Sequence, residues 1–203
     1  MIIIVDYGMG NLRSVLKAFE RQGVRAAISN EQDEIERASK LVLPGVGHFK
    51  KGMENLTKLN LVDSLNKKAN IEKTPILGIC LGMQLMTKFS EEGQAPGLGW
   101  LNATTRKISF TQSELKIPHM GWNNLQVRRN TGILKGINQD DYFYFVHSYY
   151  VSCDQQEDIV AESTYGQCFV SSFQHEHIYG CQFHPEKSHD AGLKILKNFA
   201  EVT

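Results

Sequence analysis

Hydrophobic and polar positions in the first half of the chain alternate between short apolar runs and stretches with helical spacing. The apolar runs predict buried strands at 2–5, 24–29, 40–44 and 75–79. The stretches between them predict helices at 11–23, 31–38, within 49–69 and from about 82 to 89. Strand–helix–strand alternation of this kind places helices on both faces of a mostly parallel sheet.

The pattern changes from about residue 97 onward. Short β-rich runs, separated by Gly, Asn and Asp, occupy 101–110, 123–129, 141–152, 158–166 and 168–183. We expect them to be antiparallel additions to the same sheet, followed by a last helix at 191–202. No repeat or linker interrupts the chain, so the prediction is an α/β fold in a single domain, 1–203.

Composition narrows the possible partners. The 203 residues carry 22 basic and 22 acidic side chains, a formal net charge of +0. A nucleic acid or an anionic membrane surface as partner would require a basic excess. The apolar start, 1–5, runs into Asp6 and is too short for a secretory signal, and no run reaches the ~20 apolar residues that span a bilayer. We therefore expect a cytoplasmic protein with neither kind of partner.

The cysteine spacing argues against a disulfide framework and a metal site. Four cysteines without a C-x-x-C pair do not form a disulfide scaffold. Cys181 and His184 have C-x-x-H spacing, but zinc needs a second close pair. The stretch 175–177 (HEH) is more typical of a solvated turn. We expect no metal and no cofactor.

One cysteine stands between two glycines at the end of a predicted strand. Gly78-Ile79-Cys80-Leu81-Gly82 has the G-x-nucleophile-x-G form of a nucleophile elbow. The glycines remove Cβ atoms that would clash in a sharp turn, and one of them could adopt a positive φ. A following helix would favour the thiolate, and the Leu81 N–H would face an oxyanion. The alternative is a small buried cysteine whose glycines serve only packing.

A candidate base lies far down the chain from this cysteine. His184 precedes Pro185 and is therefore biased toward an extended conformation, in which His184 and Glu186 share one face. A carboxylate on one imidazole nitrogen leaves the other free to accept a thiol proton.

A third segment, 43–49 (LPGVGHF), also follows a strand, and its glycines would let the backbone approach a ligand. Taken alone, it could be a plain Gly-Pro turn.

Together these segments resemble the class I glutamine amidotransferases and, more narrowly, the glutaminase subunits of imidazole glycerol phosphate synthase. The resemblance runs the whole length of the chain. Its motifs are DYGMGNLRSV at 6–15, LPGVGHF at 43–49, GICLGMQL at 78–85, PHMGWN at 118–123, YFVHSYY at 144–150 and FHPEKS at 183–188. It implies the flavodoxin-like amidotransferase fold, with antiparallel additions in the C-terminal half.

The resemblance also implies roles for residues. Cys80, His184 and Glu186 would hydrolyse L-glutamine through a glutamyl thioester, with His184 as acid and then base. The remaining implied positions are Val46 or Gly47 and Leu81 in the oxyanion hole, Gln84, Ser148 and Tyr149 around the glutamine, and Asn11, Trp122, Tyr144 and Lys187 at or near a partner interface. Trp122 and Tyr144 could instead be core aromatics, and Asn11 a helix cap.

The partner that the resemblance implies is a (β/α)8-barrel cyclase in a heterodimer. It would use the channelled ammonia to make imidazole glycerol phosphate and an aminoimidazole carboxamide ribonucleotide in histidine biosynthesis. His189, after the FHPEKS motif, resembles paralogues that supply ammonia to surface-polysaccharide enzymes, so that acceptor stays open. A peptidase or deglycase of similar architecture, and a silent regulatory subunit, are further alternatives that the FHPEKS motif and the complete triad disfavour.

Overall fold

A computed structural model describes residues 1–110 and 115–202. Its strands are β1 Ile2–Val5, β2 Ala26–Ser29, β3 Lys40–Gly45, β4 Ile76–Cys80, β5 Thr87–Ser90, β6 Ala95–Pro96, β7 Leu101–Lys107, β8 His119–Asn124, β9 Gln126–Val127, β10 Tyr142–His147, β11 Tyr149–Cys153, β12 Ile159–Tyr165, β13 Gln167–His175 and β14 Ile178–Cys181. Its α-helices are α1 Leu12–Arg21, α2 Gln32–Arg37, α3 Phe49–Lys58, α4 Val62–Asn66, α5 Leu81–Leu85 and α6 His189–Glu201. No helix in the described ranges is long and apolar enough to cross a bilayer.

Within residues 1–110 and 115–202, twelve strands form one sheet in which a parallel half adjoins an antiparallel half. The parallel half has the order β2-β1-β3-β4-β14. Strands β13, β11 and β7 continue the sheet with antiparallel pairing. The fold class expected from the sequence, a mostly parallel sheet with antiparallel additions, is confirmed.

The parallel strands other than β2, which lies at the edge of the sheet, are buried on both faces. Ile3 and Val5 pack into one hydrophobic cluster, whereas Ile2 and Ile4 pack into a second cluster on the opposite face. Alternate residues of a strand point to opposite faces, so a continuous apolar run fits a strand that is covered by helices on both sides. This is the physical reason why the first four strands were readable from their sequence.

Three local predictions were wrong. The helix expected from about 82 to 89 ends at Leu85, and its second half is strand β5 beside β7. The backbone N–H groups of Leu98 and Trp100 bind the carbonyls of Leu85 and Met86, which replaces further helical hydrogen bonds. In addition, β8 and β10 pair in a separate two-stranded sheet, and β14 runs parallel to β4 rather than antiparallel.

The carboxyl ends of three adjacent parallel strands meet at one edge of the sheet. Gly45 at the end of β3 is in register with Cys80 at the end of β4, and Ile79 is in register with Cys181 of β14. Ligand sites in open parallel sheets lie outside these ends. The segments that follow β3, β4 and β14 are therefore brought together where the sequence placed its candidate chemistry.

Candidate active site

Cys80 occupies a strained turn between β4 and α5. Its backbone has φ 53° and ψ −107°, in the positive-φ region that a residue with a side chain rarely adopts. The prediction that a flanking glycine adopts the positive φ was wrong, because the cysteine does so itself. The glycines have a steric role: a Cβ on Gly78 would lie 2.6 Å from the Met83 nitrogen, and one on Gly82 would lie 1.6 Å from the Leu43 oxygen.

The Cys80 sulfur lies at the N-terminus of α5 among polar atoms. The side chain is 5% exposed. The carbonyl oxygen of Val146 lies 3.8 Å from the sulfur, and the Gln182 Nε2 donates to the sulfur at 3.6 Å. Leu81 is the first residue of α5, so its N–H has no acceptor within that helix. The Gln182 Nε2 and the Leu81 N–H can stabilise negative charge on or beside the sulfur, whereas the Val146 carbonyl can bond only a protonated thiol.

His184 and Glu186 form a buried pair. The imidazole Nδ1 donates to the Glu186 Oε1 at 2.9 Å, and each side chain is 2% exposed. His184 is extended, as expected before Pro185, but the expectation that the extended chain continues to Glu186 was wrong, because Pro185–Lys187 is a 3-10 turn. The imidazole Nε2 is buried and has no hydrogen-bond partner among the described residues. That nitrogen is therefore available for proton transfer.

The charge around His184 favours the imidazolium. Burial alone would lower the pKa of His184, but the charge of the Cys80 sulfur and the contact with Glu186 raise the pKa to about 10. An opposite charge close to an ionisable group stabilises its charged form. A negatively charged sulfur would therefore favour a proton on His184, and a cysteine nucleophile requires such a pairing of thiolate and imidazolium.

A cavity of about 260 Å³ opens in front of the sulfur. Its lining residues come from five segments: Val46, Gly47, Cys80, Leu81, Gln84, Glu92, Pro118, Val146, His147, Ser148 and Tyr149. The structure thus brings the oxyanion and glutamine positions expected from the resemblance to the walls of a single cavity. Gly47 has φ 114°, a conformation in which glycine is favoured. The arrangement can direct backbone N–H groups at a carbonyl that the sulfur attacks.

Comparison with known proteins agrees with this geometry. The family model for class I glutamine amidotransferases matches residues 3–202. The chain belongs to the class I glutamine amidotransferases. Relatives include subunit HisH 2 of imidazole glycerol phosphate synthase from Methanococcus maripaludis, 48% identical over 98% of both chains, and from Pseudomonas aeruginosa, 44% identical over 100% of both. Subunit HisH 1 from Campylobacter jejuni is 46% identical over 100% of both chains.

Solved structures share the amidotransferase fold. A crystal structure of a glutamine amidotransferase matches with a TM-score of 0.76 and 19% identity, covering 100% of both chains. The structure of PurLQS from Thermotoga maritima matches with a TM-score of 0.74 and 16% identity, covering 98% of this chain and 96% of that one. At these identities the likeness concerns the fold.

Three of the four positions that the resemblance assigns to a partner interface form a cluster on this amidotransferase. Trp122 of β8 packs edge-on against Tyr144 of β10, with ring centroids 5.9 Å apart, and stacks on His189 at 4.9 Å. The Lys187 Nζ lies 5.6 Å from the centroid of the Tyr144 ring. The fourth position, Asn11, caps helix α1 by accepting a hydrogen bond from the Ser14 N–H.

Sequence reasoning missed three polar residues of the amidotransferase site. Gln182 lies beside the sulfur, His147 lines the cavity, and Glu92 lines it from the turn after β5. His147 stands inside the YFVHSYY motif, immediately before Ser148, and Gln182 immediately precedes the FHPEKS motif. Positions adjacent to the predicted site residues and motifs could therefore have indicated Gln182 and His147, whereas nothing in the local sequence distinguishes Glu92.

Proposed function

We propose that this chain is the glutaminase subunit of an imidazole glycerol phosphate synthase, which hydrolyses L-glutamine and delivers ammonia to a (β/α)8-barrel cyclase. The observation that carries the proposal is the buried His184–Glu186 pair beside the Cys80 sulfur at the mouth of a cavity. Family membership and full-length relatives named as HisH subunits support it.

In the first half-reaction, the Cys80 thiolate attacks the side-chain amide carbon of glutamine. The resulting oxyanion accepts hydrogen bonds from the Leu81 N–H and from the Val46 or Gly47 N–H. His184, protonated at Nε2, gives its proton to the amide nitrogen, and the carbon–nitrogen bond breaks. Ammonia leaves, and a glutamyl thioester remains on Cys80.

In the second half-reaction, the neutral imidazole of His184 removes a proton from water while the water oxygen attacks the thioester carbonyl. Collapse of the tetrahedral intermediate breaks the carbon–sulfur bond and releases glutamate. The thiolate and the imidazolium are then restored. Glu186 keeps the ring oriented through the hydrogen bond to Nδ1 in both steps.

The cavity walls supply groups for the rest of the glutamine molecule. Gln84, Ser148 and Tyr149, which the family resemblance assigns to glutamine binding, line the cavity. Glu92 adds a carboxylate, although its Oε2 already accepts the Phe49 N–H at 2.7 Å. A carboxylate is suited to an α-ammonium group. We assign Glu92 to that end of the substrate and Cys80 to the amide end.

The partner side of the proposal rests on the Trp122–Tyr144–Lys187 cluster, with Asn11 as a further contact. Ammonia would pass to the cyclase, which forms imidazole glycerol phosphate and an aminoimidazole carboxamide ribonucleotide in histidine biosynthesis. The whole chain would act as one amidotransferase domain. We place the reaction in the cytoplasm, where thiols such as that of Cys80 are kept reduced.

A second acceptor stays a candidate because of His189. Its imidazole stacks on Trp122 with planes 3° apart, inside the cluster that would meet the partner. The proposed glutaminase chemistry is the same for a paralogue that feeds a sugar-modifying barrel protein. An assay of ammonia transfer with each purified partner distinguishes them: the histidine-pathway cyclase forms its product in the first case, and only the sugar-modifying enzyme does so in the second.

Glutamate release tests the glutaminase proposal. The chain is mixed with glutamine alone and then with the barrel cyclase, and glutamate is measured for wild type, Cys80→Ala and Cys168→Ser. We expect little turnover alone, strong activation by the partner, loss of activity in Cys80→Ala, and full activity in Cys168→Ser, because Cys168 is exposed and does not line the cavity in front of Cys80. Full activity in Cys80→Ala would contradict the proposal.

A further inference from the structure

Two buried glutamine side chains connect the nucleophile to a backbone carbonyl. The Tyr149 carbonyl can only accept, so the Gln84 group that lies 2.9 Å from it is the NH₂. The same NH₂ lies 3.0 Å from Gln182, which must present its Oε1 there. The Gln182 NH₂ therefore faces the Cys80 sulfur, at 3.6 Å. One carbonyl thus sets the orientation of both amides.

A pair of buried histidines holds that carbonyl. The His147 Nδ1 donates to the Tyr149 oxygen at 2.8 Å, so His147 Nε2 accepts from the His119 Nδ1 at 2.9 Å. Burial lowers the pKa of His147 to about 3 and that of His119 to about 4, which keeps both rings neutral. The His119 Nε2 is then free to accept from the Asn123 amide, 3.5 Å away. In this series of hydrogen bonds, the tautomer of each histidine is determined by the group to which it is bonded.

We infer that Gln182 is a further catalytic residue of the glutaminase, which donates a hydrogen bond to the Cys80 thiolate, and that His147 is a positioning residue acting through Gln84. The inference rests on the function proposed above. It concerns the ionisation of the sulfur, a property that can be measured without glutamine and without a partner subunit.

The two neighbours of the sulfur favour opposite protonation states. The Val146 carbonyl accepts and can bond only a thiol, whereas the Gln182 NH₂ donates and bonds a thiolate. A donor that faces a charged form stabilises that form. With the Gln182 amide held in the observed orientation, the thiolate is favoured. With the amide reversed, its oxygen would face the sulfur and favour the thiol.

Alkylation of the isolated chain tests the role of Gln182. Iodoacetamide reacts with thiolates, so the rate at Cys80, followed by peptide mass spectrometry across pH, gives a midpoint of ionisation. In Gln182→Met we expect that midpoint to move upward by about one pH unit, since a hydrogen bond to a charged group is lost. The midpoint of ionisation of Cys168, which is alkylated in the same samples, should not change. If Gln182→Met does not fold, the shorter amide of Gln182→Asn provides the same comparison.

Two His147 variants test the positioning role. His147→Phe removes the donor to the Tyr149 carbonyl and should move the Cys80 midpoint in the same direction by a smaller amount. His147→Asn restores an N–H donor near the Nδ1 position and should return the midpoint toward that of wild type. A midpoint that stays unchanged in the Gln182 variants would overturn the catalytic assignment, and equal midpoints in the two His147 variants would overturn the positioning assignment. Neither result depends on whether glutamate is released.

Discussion

At the scale of a single residue, the pKa of His184 depends on the charges that lie next to its imidazole. Burial opposes its protonation, yet the negative sulfur of Cys80 and the carboxylate of Glu186 raise its pKa to about 10. In the proposed mechanism the imidazolium must protonate the departing nitrogen. The basic limb of the activity profile should therefore report the loss of the His184 proton.

The first prediction concerns Glu186→Gln. Glutamine keeps an acceptor for the His184 Nδ1 but removes a negative charge, so the pKa of His184 falls and the imidazolium is lost at lower pH. We expect the basic limb of kcat/KM for partner-activated glutamine hydrolysis to move downward by about one pH unit. Glu176→Gln, at an exposed carboxylate, serves as the control. A basic limb that does not move in Glu186→Gln would contradict the assigned role.

The identities of these residues were readable from the sequence, but their conformations were not. Cys80 and His184 stand in short motifs with a chemical reason for each neighbour. The positive φ of Cys80 depends on a steric fit between α5 and β3 that no local pattern encodes. The contact of Gln182 with the sulfur is likewise long-range, since it joins the ends of β4 and β14.

At the scale of elements, the site depends on how closely α5 approaches β3. Gly82 faces the Leu43 carbonyl, and a methyl group there would lie 1.6 Å from the oxygen. Gly52 in α3 is a matched helical glycine, where the nearest contacts of a methyl group would be side chains, those of Leu85 at 3.3 Å and Leu81 at 3.6 Å. The two positions distinguish a close backbone approach from ordinary side-chain packing.

The second prediction compares Gly82→Ala with Gly52→Ala. Gly82→Ala should lower the free energy of unfolding by about 3 kcal/mol or more, because the backbone must move apart. Gly52→Ala should change it by about 1 kcal/mol or less, since the gain in helix propensity offsets a small contact with a flexible side chain. Urea unfolding measures both. Equal stabilities of the two variants would contradict the close packing of α5 on β3.

Secondary structure was predicted correctly for strands with apolar residues on both faces. It was predicted wrongly where hydrogen bonds to a distant segment determine the structure. The four β-strands of the first half have apolar residues on both faces, so their sequence alone identified them. The segment from 82 to 89 is also apolar, but the carbonyls of Leu85 and Met86 are bound by the backbone of 98–101. That contact forms only in the folded chain and ends α5 early.

At the scale of the whole molecule, the separate β8–β10 sheet connects two surfaces. Its residues include His119 and His147 on the cavity side and Trp122 and Tyr144 in the exposed aromatic cluster. The sequence predicted these strands but added them to the main sheet, because strand patterns do not specify which partner a strand takes. The separate sheet places the proposed partner surface next to the site.

The third prediction concerns the partner surface. Trp122 is 47% exposed, so Trp122→Ala should leave the melting temperature of the isolated chain nearly unchanged. It should raise the Kd for the barrel cyclase at least about tenfold, as expected for a central interface aromatic. Ile71→Ala is the control, because Ile71 is 77% exposed and precedes β4 at the opposite edge of the sheet. An unchanged Kd for Trp122→Ala in a calorimetric titration would contradict this surface.

The most direct test of the whole account is to trap the covalent intermediate. The partner-activated protein is mixed with glutamine, quenched in acid within one turnover, and digested for peptide mass spectrometry. We predict one glutamyl group on the peptide that contains Cys80, its loss in Cys80→Ala, and its retention in Cys168→Ser. Glutamate formed at the full rate without any adduct on Cys80, or with the adduct on another cysteine, would contradict the account.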